Sequence, residues 1–208
     1  MMDRSMTVDH VELAMVLAVD GSASVTYDEF GLIAGGMAAA LRDPAVAAGL
    51  VGTSVLSLLL WSGTGQQDII TDWTRIGSAA DLAAFADGVD NMPRTVKAGQ
   101  TAIGEALLAA LTLLAKVPAI PKRNIVDVIG DGRSNDGIAP GPVRDRMAAA
   151  DITINGLCIL HEEPDLLRFY TDEVIGGPGA FAVTCREYKD FTEAMRQKLT
   201  REIKGPIV

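Results

Sequence analysis

A doubly wound, Rossmann-like α/β fold is the architecture the sequence predicts: a six-stranded, mostly parallel sheet with one short antiparallel edge strand and helices on both faces. Three observations point there. Strand-like apolar runs alternate with helix-length amphipathic segments along the chain, the pattern of a parallel sheet wrapped by its crossovers. Loops between them are short and punctuated, as at Asp43-Pro44, Ser62-Gly63 and Gly176-Gly177-Pro178-Gly179. Between the second and third strand candidates lie only a few Ser, Gly, Thr and Gln residues, a hairpin spacing with no room for a crossover helix.

In chain order, residues 11–19 form the first strand candidate, too short to span a bilayer and leading directly into Asp20. A helix is expected over 27–41, introduced by Thr26 and Glu29 as a T-x-x-E capping box. Strands follow at 53–61 and 68–73, the second of them the antiparallel edge, and helices at 79–89 and 102–116. The remaining strands are expected at 124–129, 152–159 and 180–184, separated and followed by helices at 143–150, 164–174 and 188–203. The runs 56–60 and 125–129 are apolar without alternation, so they belong at the centre of the sheet, buried on both faces. The cationic stretch 196–204 is interrupted by Glu202 and apolar residues and reads as a solvated helix face. With no repeat, linker or low-complexity tract, the expectation is a single domain over residues 8–205. A chain of 208 residues buries roughly 70% of its unfolded surface and needs no disulfide framework.

Charge limits the partners. The 27 acidic and 18 basic residues leave a net charge of −9, which repels the phosphate backbone that nucleic-acid binders must neutralise. Cys158 and Cys185 belong to no CxxC pair or zinc spacing, and two strand thiols or a cross-strand bridge are both open. The opening MMDRSMTVDH lacks a cationic region followed by an apolar run and cleavage site, so the chain as written reads as cytoplasmic, with no membrane insertion.

In an open α/β sheet, ligands sit beyond the carboxyl ends of the strands, where neighbouring crossovers leave in opposite directions. Asp20-Gly21-Ser22-Ala23-Ser24 follows the first strand and Asp131-Gly132 the fourth. Gly99-Gln100-Thr101-Ala102 places a threonine where the helix over 102–116 begins. Mg²⁺ takes six oxygens in near-octahedral array and gives up water reluctantly, so hydroxyls and water-bridged carboxylates suit it. Each part has an innocent reading: Ser22, Ser24 or Thr101 as helix caps, Asp131-Gly132 as a turn. Their convergence at one end of one sheet favours one shared site over separate caps and turns.

In order and spacing, these three segments resemble the metal-ion-dependent adhesion site of von Willebrand factor A (VWA) domains. The resemblance covers nearly the whole chain and implies Asp20, Ser22, Ser24, Thr101 and Asp131 as the ligand set, holding Mg²⁺ or else Mn²⁺ or Ca²⁺. The segments LAVDGSAS, TAIGEAL, VIGDG, ITINGL and VIGGPGAF are similar to a poorly characterised bacterial branch of VWA-like proteins, often exported. That branch usually reads D-V-S-G-S, whereas Gly21 and Ala23 stand here; the extra backbone freedom of Gly21 is expected to loosen the loop. The implied activity is cation-dependent recognition of a protein partner that donates an acidic side chain, not catalysis. The resemblance favours an extracytoplasmic location.

Two other functions fit less well. A metal-dependent phosphatase or hydrolase lacks its D-x-D pair, interrupted by Ser22, and no G-x-S-x-G elbow or phosphate-binding glycine loop occurs. An accessory scaffold with no metal bound would not need the intact oxygen set. His161-Glu162-Glu163 on the same rim reads as an exposed loop, Arg133 to Asp136 as a polar turn framing the site, and Trp61 as core packing. Oligomeric state has no signature.

Overall fold

The computed structural model describes residues 9–205. Six strands form one sheet in the order β3-β2-β1-β4-β5-β6. They are β1 (His10–Asp20), β2 (Ser54–Trp61), β3 (Gln67–Ile76), β4 (Ile120–Gly130), β5 (Ile152–Ile159) and β6 (Ala182–Cys185). Every neighbouring pair is parallel except β2 and β3, which run antiparallel with register shifts between Leu56 and Leu59. The chain leaves β1 toward β2 on one side and later returns to β4 on the other, so the switch point lies between β1 and β4.

Helices cover both faces. Alternate residues of β1 sort cleanly: Leu13, Met15, Leu17 and Val19 join the core beneath α1 (Tyr27–Leu41), α2 (Pro44–Leu50), α3 (Ala79–Asp90) and α7 (Phe191–Lys204). Ala14, Val16 and Ala18 join the opposite core, beneath α4 (Ile103–Leu114), α5 (Pro140–Ala148) and α6 (Leu166–Phe169). Burial on both sides explains the uninterrupted apolar strands. The predicted capping box is present: Thr26 Oγ1 accepts from Glu29 N, and the Glu29 carboxylate accepts from Thr26 N at 2.8 Å. An unexpected short helix, α2, starts at Asp43-Pro44, where Asp43 accepts from Ala45 N and Val46 N and proline occupies the first turn.

Two expectations are overturned. The antiparallel edge strand is not short, since β3 runs for 10 residues. The stretch 196–204 is not wholly solvated, because Lys198 and Glu202 are buried against the sheet. Lys198 Nζ contacts the buried Asp127 of β4 and lies 2.5 Å from Glu202 Oε1. Asn155, register partner of Asp127 on β5, donates from Nδ2 to the same Glu202 oxygen at 2.7 Å. Without carboxylate partners Lys198 could not stay in the core, since an unpaired charge there is prohibitively costly.

Both cysteines are free thiols. Cys158 packs in the α4/α5 core and Cys185 in the α1/α7 core, so the sheet stands between them. Burial pushes each thiol up to about 12, which leaves them unreactive in the folded state. Thiol titration of unreduced protein in denaturant is expected to find two free groups per chain, and almost none before unfolding; a count of zero after unfolding would mean the strands are bridged.

Candidate metal centre

β1 delivers Asp20 to the switch point, where Asp20 accepts a hydrogen bond from Ser22 N at 2.7 Å and so bends the following loop inward. That turn puts Ser22 Oγ 3.2 Å from Ser24 Oγ. Ser24 Oγ in turn donates to Asp131 Oδ1, across from the end of β4, at 2.7 Å. Four of the five expected residues are therefore linked in one chain of contacts.

Thr101 enters from the loop before α4 and is 5% exposed. Its backbone is fastened to the segment after Asp131: Thr101 N donates to Asn135 Oδ1 at 2.8 Å, and Thr101 O accepts from Asn135 N at 2.9 Å. Ser134 Oγ donates to the same carbonyl. Ala23 N donates to Gly99 O at 2.8 Å, closing the threonine loop onto the serine loop. Thr101 does not cap α4, whose N-cap is Ala102 with no side-chain bond. Nor do the serines cap α1, since Thr26 does. The structure thus brings all three segments together beyond the ends of β1 and β4 and leaves their hydroxyls free of capping duty.

Electrostatics single out Asp20. Its side chain is buried and Oδ2 has no hydrogen-bond partner among the described residues. Burial, reinforced by the facing Asp131 carboxylate, pushes its pKa up to about 7. Tyr188 donates from its hydroxyl to Asp131 Oδ2 at 2.9 Å, so both oxygens of that carboxylate are held. Among the described residues, no three His, Cys, Asp or Glu side chains gather into a cluster of the zinc type. Hydroxyls and two carboxylates form instead the hard, oxygen-only donor set that suits Mg²⁺, Mn²⁺ or Ca²⁺. A divalent cation would answer the orphaned Asp20 oxygen and the repulsion between the two acids, so the residues present fit the group.

Sequence reasoning missed the residues that hold this loop. Arg94, between α3 and α4, donates to Gly21 O at 2.9 Å and Ser22 O at 2.6 Å. Its guanidinium lies over the rings of Tyr27 and Phe30, 5.7 and 5.6 Å from their centres. Gly21 does not loosen the turn as expected: a Cβ there would stand 2.9 Å from Val96 Cγ2 and 3.2 Å from Leu60 Cδ1. Tight packing and the arginine clamp take up its freedom. Neither Arg94 nor Tyr188 sits in a motif, and only three-dimensional proximity reveals them. His161 lies exposed on the rim, 3.2 Å from Glu187, while Glu163 pairs with Arg133 at 2.8 Å, so the His-Glu-Glu run is divided between two partners.

A family model described as "Protein of unknown function (DUF1194)" matches residues 10–207. The chain belongs to that family. No curated protein matches the sequence. Among solved structures, this DUF1194 member is similar to a von Willebrand factor type A protein from Catenulispora acidiphila, with TM-score 0.65 and 19% identity over 93% of this chain and 43% of that one. Mussel byssus proximal thread matrix protein 1, solved "with zinc occupied MIDAS motif", superposes at TM-score 0.66 with 15% identity, over 95% of this chain and 49% of that one. The pilus adhesin SpaC from Lactobacillus rhamnosus GG gives TM-score 0.67 at 13% identity, covering 93% and 30%. The chain spans less than half the length of each of these three structures. At such identities the likeness establishes the VWA fold.

The buried Asp20 carboxylate sets a measurable trade. A folded-state pKa raised from 3.8 to about 7 means the ion-free fold loses stability as pH rises between those values and stays lower above them. Asp20→Asn is therefore expected to raise the unfolding midpoint of chelator-treated protein at pH 8, by at most about 4 kcal/mol of stability, and to leave it little changed at pH 4. A lower midpoint at pH 8 would contradict the assigned burial cost.

Proposed function

We propose that this domain binds one divalent cation at the β1/β4 switch point and uses it to capture an acidic side chain of a protein partner. Ser22, Ser24 and Thr101 would supply neutral hydroxyl oxygens, and Asp20 and Asp131 would balance the charge directly or through water. The single observation that carries this reading is the buried pair of facing carboxylates, one oxygen of which has no partner, ringed by hydroxyls that cap nothing. An ion held mainly by neutral donors keeps enough positive field to take an anionic ligand from outside.

The surroundings suit a peptide-like carboxylate with apolar neighbours. Tyr27, Ile138 and Leu167 are 77%, 39% and 41% exposed and stand on the segments that follow β1, β4 and β5, at the same end of the sheet as the crevice. Large apolar side chains exposed beside a polar centre are the usual anchor of a recognition surface. The VWA-fold relatives support the same reading, one through an occupied metal site and one as an adhesin. No described helix is long and apolar enough to cross a membrane.

Titration calorimetry of chelator-stripped protein with Mg²⁺, Mn²⁺ and Ca²⁺ is expected to give a one-to-one isotherm that vanishes in Asp131→Ala and in Ser24→Ala. Arg94→Ala, which frees the Gly21 and Ser22 carbonyls, is expected to weaken the same binding about 10–100-fold, the usual cost of losing an outer support of a metal site. Absence of heat with all three ions would refute the proposal, and ester or phosphate turnover abolished by Asp20→Ala would replace it with an enzyme.

A further inference from the structure

The buried cluster of Lys198, Asp127 and Glu202 lies beneath α7 and takes no part in the crevice. Its side chains are 0%, 0% and 1% exposed. The amine contacts Asp127 Oδ1 and sits 2.5 Å from Glu202 Oε1. Lys198 is the cationic partner of Asp127, whose oxygens find no other hydrogen-bond donor among the described residues. The ring of Phe181 lies 5.8 Å from Nζ and adds an apolar wall. Asn155 fixes Glu202 from the side, donating to Oε1 at 2.7 Å while its own Oδ1 accepts from Phe181 N at 3.0 Å.

We propose that Lys198 and Asp127 condense into an intramolecular amide that ties α7 to the central strand β4, with Glu202 moving the protons. Two ingredients of such a reaction are in place: an amine held against a carboxyl, and a third acid touching the amine, with all three side chains buried. Holding the two reacting groups together replaces a bimolecular encounter and its entropy cost.

The amine starts in its protonated form. Burial and the neighbouring Asp127 carboxylate hold Glu202 well above the ordinary carboxyl range, so it keeps its proton. Burial alone would pull Lys198 down, but Asp127 and Glu202 more than offset this and it begins as an ammonium. The cluster then holds one ammonium, Lys198, and one carboxylic acid, Glu202, around Asp127. Passing a proton from Lys198 to Asp127 gives a neutral amine and two neutral acids with no exchange with solvent.

The Lys198 nitrogen lone pair then adds to Asp127 Cγ. Glu202 takes a proton from the nitrogen and delivers one to the departing Asp127 hydroxyl. A C–N bond forms, a C–O bond breaks, one water leaves, and Glu202 ends protonated as it began. No oxidant or external co-reactant is needed. The product replaces two buried charges by an amide, removing the desolvation cost that burdens the ion pair.

Intact-mass measurement of the denatured full chain tests this directly. The expected wild-type mass is lighter than the sequence mass by one water, and fragmentation of a digest should give a branched peptide joining Asp127 to Lys198. Lys198→Met should show its full sequence mass. Should that variant fail to fold, Glu202→Gln, checked for folding by circular dichroism, should also show its full mass. A wild-type chain at full sequence mass after prolonged incubation in the folded state overturns the proposal. So does a missing water that maps to a cyclised Asp-Gly step such as Asp136-Gly137. A Glu202→Gln chain as light as wild type overturns the role given to Glu202. All these readings are made in chelator, so they stand apart from the metal site.

Discussion

Two carboxylates buried face to face, with no ammonium between them, are the constraint around which the candidate site is organised. Asp20 and Asp131 come from the strands that flank the switch point, and each further feature of the crevice limits their repulsion. Backbone and serine donors reach Asp20 and one oxygen of Asp131, and a tyrosine from the start of the last helical segment takes the other. Arg94 adds a positive charge behind the loop without entering it, since its donors are spent on backbone carbonyls. What is left over is the buried Oδ2 of Asp20, with no hydrogen-bond partner among the described residues. Such an arrangement is costly for an ion-free fold, and a site that destabilises its own scaffold is characteristic of function rather than packing.

How much of this could be read in the sequence follows from the range of the interactions involved. The strand and helix order, the antiparallel hairpin and the Thr26–Glu29 cap depend on residues near one another in the chain, and all were legible. The three site segments were legible because each directly follows a strand or precedes a helix, so topology alone brings them together. Helix α2 was missed although its signals, Asp43 then Pro44, were read as loop punctuation; seven residues are too few to show a period.

Long-range polar pairing was not legible. In a one-dimensional reading, Lys198 and Glu202 look like any i, i+4 pair on a solvated helix face. Their burial depends on Asp127, an isolated acid in the apolar run of β4, and that oddity was the available clue: a charge on a strand covered on both faces must meet a partner. Arg94 and Tyr188 act across the fold on groups far away in sequence, where neither periodicity nor motif reaches.

The two borders of the sheet differ in kind from its centre. β6 is only four residues long, and β3 carries register shifts along with Asp68, Asp72 and Arg75. Short, bulged and charged borders are poor templates for another chain's backbone. Copies crowded together on a surface would therefore resist zipping into a continuous sheet. Any assembly this domain enters is left to its side chains.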